Sequence, residues 1–121
     1  MSKDSQRLAD YLAHMLQAIE RIVRYTEDLD EVAFLRNELV QDAVVRNLEI
    51  LGEASNNIQK HYPEIEARHP QLHLAFAYQM RNAVAHGYFK VDYEIVWKTI
   101  HADLPALYVQ VQDVVAGIAG R

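Results

Sequence analysis

Residues 38–60, ELVQDAVVRNLEILGEASNNIQK, place Val40, Val44, Leu48, Leu51 and Ile58 at helical spacing, with Ala43, Ile50 and Ala54 widening the apolar stripe. A long helix with so broad a stripe needs other helices to cover it. Gly52 falls in its middle at a cost of roughly 1 kcal/mol relative to alanine, tolerable where a neighbouring helix approaches closely. Upstream, Leu8, Tyr11, Leu12, Met15, Ile19, Ile22 and Val23 mark an amphipathic helix that ends near the acidic run Glu27–Glu31, after which Asp30 can cap a short turn through Phe34 and Leu35. Downstream, Pro63 and Pro70 each suit the first turn of a new helix, so 61–71 reads as a connection with one helical turn. A third helix is predicted from Gln71 to Ala85 or His86, with Leu72, Phe76, Met80 and Ala83 facing the core and Gly87 as its stop. A fourth begins near Asp92, carries Ile95, Val96, Ile100, Leu107, Val111, Val114 and Ile118, and is bent or interrupted at Pro105. With no alternating strand pattern, repeat or low-complexity linker, the fold class is all-α: an antiparallel four-helix bundle, one domain over residues 1–121.

Composition agrees with one core. The chain has 121 residues, 50% of them apolar, too few for two ordinary domains. Cysteine is absent, which excludes disulfides, thiolate nucleophiles and Cys-rich zinc sites and suits a reducing compartment. The polar start, Met1 to Arg7, does not read as a secretory signal, and no run approaches the roughly 20 apolar residues of a membrane span. The expectation is a soluble, cytoplasmic protein. A formal net charge of −5 argues against a protein that coats nucleic acid, since nonspecific affinity comes from cations that displace phosphate counterions. Any RNA contact must be local, drawn from scattered cations such as Arg46, Arg81, Lys90 and Lys98.

The chemistry concentrates in residues 81–88, RNAVAHGY, at the end of the third predicted helix. Arg81 can clamp a phosphate through two N–H donors, the His86 imidazole can move protons near neutral pH, and the Tyr88 phenol can donate, accept or be modified. Cleavage within RNA needs a base for the 2′-hydroxyl, an acid for the leaving 5′-oxygen and positive charge at the phosphorus centre. At about 100° per residue, positions five apart point roughly 140° away from each other. Arg81 and His86 therefore meet one phosphate only if the last turn unwinds before Gly87 or a second protomer completes the site. Asn82 and His86, four apart, share a face, so Asn82 can fix the imidazole tautomer or touch substrate. Glu53 reads first as a surface or dimer-rim carboxylate and second as an ion-pair partner that orients Arg81. Glu66 and His69 have the spacing of a di-iron motif without its second copy, and Pro70 separates His69 from His73. No phosphate-binding glycine loop and no Gly-x-Ser-x-Gly is present.

The pattern R-x-x-x-x-H-x-Y at Arg81, His86 and Tyr88, followed by Phe89 and Trp97, resembles the signature of the HEPN superfamily in its HepT-like branch. The order of 41–44, 51–54, 80–82, 86–89 and 96–105 is similar too, so the resemblance runs from about Asp42 to Leu107. Many relatives carry a Pro-Trp pair where this chain has 73–76, His-Leu-Ala-Phe. The resemblance implies a homodimeric, metal-independent endoribonuclease without cofactor, the toxin of a type II/VII-like toxin–antitoxin pair. It implies that Arg81 and His86 are catalytic, and that Tyr88 accepts AMP from a nucleotidyltransferase antitoxin of the MntA kind. From another class, the alternative is a noncatalytic nucleotide-binding or adaptor module whose Arg81 and His86 only hold a nucleotide or that nucleotidyltransferase.

Overall fold

The computed structural model describes residues 3–85 and 91–119, with the side chains of 83–85 and 119 outside the description. Every regular element among them is helical: α1 (Lys3–Thr26), α2 (Glu31–Leu35), α3 (Glu38–His61), α4 (Pro63–Arg68), α5 (Leu74–Ala85), α6 (Tyr93–Ala102) and α7 (Leu104–Ala119). The helix starts are written into side chains. The Asp30 carboxylate accepts from the Ala33 N–H at 2.8 Å, Asn37 Oδ1 from the Val40 N–H at 3.0 Å, and Asp92 from the N–H groups of Glu94 and Ile95 at 3.1 and 3.2 Å. Each cap satisfies donors that the first helical turn leaves free. Gln41 reaches back from α3 to donate to the Phe34 carbonyl at 2.9 Å, closing the end of α2.

The long helix read first in the sequence is the centre of the bundle: α3 packs against α1 on one side and α5 on the other, with α2 and α4 at its ends. Tyr62, at the end of α3, donates to the Asp4 carbonyl at the start of α1 at 2.8 Å, so the two helices run antiparallel. Tyr108, early in α7, donates to the Glu20 carboxylate late in α1 at 2.7 Å, which sets α7 antiparallel to α1. The core between them holds Leu12, Met15, Ile22, Val44, Leu48, Leu51, Ile58, Leu104 and Val111. Phe34 is fully buried, with the rings of Trp97 and Tyr93 at 5.2 and 6.1 Å, and joins α2 to α6.

Several expectations shift. Val23 is 46% exposed, and Ala18 and Thr26 take the buried positions at that end of α1; the Thr26 hydroxyl is satisfied by the Ile22 carbonyl at 2.8 Å. Pro63 does open a helix, but Pro70 does not. It occupies the second position of a turn closed by the Leu72 N–H on the His69 carbonyl at 2.9 Å, where its fixed φ is equally at home. α5 consequently starts at Leu74 rather than Gln71, and Leu74 and Ala77 are buried while Phe76 and Met80 are only partly so. The predicted stripe rotates because α5 turns its small residue toward α3. Near Pro105 the fourth helix is two elements: α6 closes with the Asp103 N–H on the Thr99 carbonyl at 2.9 Å, and Pro105 sits in the first turn of α7, where its missing donor is harmless. The Gly87 stop and the side chain of Ala83 lie outside the described residues. No helix among the described residues is long and apolar enough to cross a membrane.

Candidate functional site

α5 carries Arg81 in its last turns, and what faces it is Gly52 of α3. A Cβ built on Gly52 would overlap Arg81 Cβ and stand 2.8 Å from its Cγ and 2.9 Å from the Ala77 carbonyl oxygen. The close approach that the glycine implied in the sequence is therefore the approach of the helix bearing the candidate catalytic arginine. From there the half-buried Arg81 side chain runs to a guanidinium whose Nη1 donates to Asn82 Oδ1 at 3.2 Å. Among the described residues no carboxylate pairs with that guanidinium; the ion pair found there is Arg46 with Glu49, 3.9 Å apart and exposed, a weak contribution to stability. An arginine offers five N–H donors. One is engaged by Asn82, and the geometry leaves the group suited to an anion.

Asn82 thus touches Arg81. Its expected bond to His86 concerns a residue outside the described ones, as do the roles of His86 and Tyr88 themselves; both fall between Ala85, the last residue of α5, and Val91. Glu53 stands elsewhere. It is exposed and borders a recess of about 280 Å³ with Tyr11, His14 and Asn57, and it makes no ion pair with Arg81. One step along a helix turns a side chain by about 100°, so Gly52 and Glu53 cannot both face α5. The remaining metal-like spacing also disperses. Glu66 accepts from Gln59 Nε2 at 3.1 Å, and His69 ends α4, so the His69–His73 pair is split by a turn.

The beginning of α6, just past the motif, was not singled out by sequence reasoning. Its Tyr93 phenol is pushed above the usual tyrosine range, first by burial and then by the carboxylates of Asp42 and Glu38. The charges of two acids at the start of α3 are therefore felt at the first residue of α6, just past the motif segment. Their separation by some fifty positions in sequence hides this, and α2, which packs on both α3 and α6 and sets Phe34 against Tyr93, links the two helix starts.

The profile of the Ribonuclease HepT-like family matches residues 15–114. The protein of Thermococcus cleftensis named "Probable ribonuclease HepT" is 39% identical over 98 residues, covering 81% of this chain and 86% of that protein. A protein of Caldanaerobacter subterraneus subsp. tengcongensis, named provisionally as an RNase, is 35% identical over 104 residues, covering 86% of this chain and 90% of its own length. No solved structure gives a significant match. The helical architecture, the order of its motifs and the extent of these matches coincide: the chain belongs to the HepT-like family of the HEPN superfamily.

Proposed function

We propose that this protein is a metal-independent endoribonuclease in which Arg81 and His86 act on one phosphodiester. The observation that carries the proposal is Arg81: a half-buried guanidinium, held by Asn82 and unpaired with any described carboxylate, five residues before the motif histidine in a chain of this family. In this reading the imidazole removes the 2′-hydroxyl proton as base, the 2′-oxygen attacks phosphorus, and the bond to the 5′-oxygen breaks as that oxygen takes a proton from the imidazolium of the same or a twofold-related His86. Arg81 stabilises the charge that builds on the phosphoryl oxygens. Because α5 is helical through Ala85, any bend that would turn His86 toward Arg81 begins beyond that residue. The twofold alternative needs no bend, so the site is proposed to be shared by a homodimer. The proposal extends to a toxin whose Tyr88 receives AMP from a nucleotidyltransferase antitoxin.

The test is cleavage by the purified protein together with growth on induction. Wild type is expected to arrest growth and create new RNA ends, and EDTA to leave cleavage unchanged. His86→Ala, with unaltered circular dichroism, is expected to lose both effects; general acid–base catalysis is worth about 10²–10⁴-fold. Full activity of His86→Ala removes the catalytic assignment, and abolition by EDTA removes metal independence.

A further inference from the structure

We infer that Gly52 is a positioning residue for Arg81: the missing side chain on α3 sets where the guanidinium of α5 stands. The inference rests on the reading of Arg81 as a phosphate-binding group. Glycine is placed in a chain either for its conformational freedom or for its lack of a side chain. The first reason is absent here, since no described glycine has a positive φ and Gly52 lies in regular helix. The second is explicit, because an added Cβ would overlap Arg81 Cβ and press on its Cγ and on the Ala77 carbonyl. Gly117 of α7 shows the contrast: a Cβ there meets nothing within 4 Å. One turn on, the buried Ser55 donates its hydroxyl to the Gly52 carbonyl at 2.9 Å, so its polar atom is satisfied within α3.

The result is a side chain held at both ends. Its stem lies on bare α3 backbone, which removes rotamers that would swing across that surface, and its head is bonded to Asn82. Most free arginines lose considerable rotamer freedom when they bind a phosphate, and an arginine already restrained loses less. Misplacement by about 1 Å is enough to cost about 10²-fold in rate.

Three measurements test this. In wild-type protein the Arg81 Nε–H vector, read by NMR relaxation, is expected to be nearly as ordered as helix backbone, about 0.85 in order parameter, against below about 0.6 for exposed Arg46. Equal disorder at Arg81 and Arg46 overturns the inference without any variant. Gly52→Ala is expected to reduce kcat about 10²-fold, while Gly117→Ala leaves it unchanged. Binding of a noncleavable 2′-O-methyl RNA separates positioning from packing. Loss of one phosphate contact lowers the slope of log Kd against log salt by about 0.7 for a single strand. Arg81→Ala and Gly52→Ala should each show that decrease, and the double variant no more than either. A folded Gly52→Ala with wild-type kcat and slope overturns the inference, as does a loss in the double variant equal to the two single losses added, which would make Gly52 a packing residue alone. If Arg81→Ala itself changes neither cleavage nor slope, the reading of Arg81 fails and the inference with it.

Discussion

The guanidinium of Arg81 and the amide of Asn82 are neighbours in sequence, and their contact gives Asn82 a role that spacing had directed at His86. An acceptor for a charged donor is worth about 1.5–3 kcal/mol, so Asn82→Leu is expected to reduce cleavage roughly tenfold or more, while Asn82→Gln, which keeps a neutral amide acceptor, retains more activity. Equal activity in wild type and Asn82→Leu, measured as kcat/KM on one RNA, would show that the contact does not orient the arginine in turnover. Tyr88 belongs to the same scale. An AMP group two residues past His86 would bring a phosphate charge and a nucleoside to the entrance for RNA. Incubation of the wild type with the nucleotidyltransferase and ATP should add AMP-sized mass and silence cleavage, and Tyr88→Phe should gain no such mass and stay active. Persistence of the increments on the Phe variant would place the acceptor elsewhere. Glu53, by contrast, loses its proposed pairing to a simple rotation: it is one residue from Gly52 and faces another groove.

Among the elements, α2 is the shortest and the most consequential for the motif's exit. Five residues make a poor helix alone, so α2 depends on its Asp30 cap and on Phe34, which is fully buried between the rings of Tyr93 and Trp97. Phe34→Ala should cost about 3–5 kcal/mol, a large share of the 5–15 kcal/mol typical of a domain, read as a fall in the urea midpoint. Because Phe34 also fixes the start of α6, its loss should loosen the segment that follows the motif before the rest unfolds, visible as faster amide exchange at 93–97 than in α3. Uniform exchange in the variant would mean that α6 is held independently of α2. The split of the fourth helix follows comparable logic: of the bend or interruption expected at Pro105, the interruption is what forms, because a proline tolerated in a first turn leaves two well-formed helices.

For the molecule as a whole, the sharpest question is whether one chain holds a complete site. If α5 runs straight to the motif, Arg81 and His86 of one chain diverge by roughly 140°, and a twofold axis can bring Arg81 of one protomer to His86 of the other. Mixing Arg81→Ala with His86→Ala protein should then restore part of the cleavage that neither has alone, and a fully active monomer at all concentrations would rule out a shared site. The sequence by itself determined the helical class, the long helix over 38–60, the cap at Asp30, a helix start near Asp92 and the family, because a 3.6-residue apolar period, a short polar cap and a contiguous motif are local signals that no distant residue needs to supply. It also announced a close approach at Gly52. What it could not say was which residue comes close, since one glycine is compatible with any partner helix. Only the tertiary structure decided that Arg81 is that residue, that Glu53 turns away from it, that Ala77 rather than Phe76 is fully buried on α5, and that the charges of Asp42 and Glu38 act on Tyr93. The physical reason is that helix rotation and depth of packing are set jointly by both surfaces in contact, and no single stretch of sequence contains both.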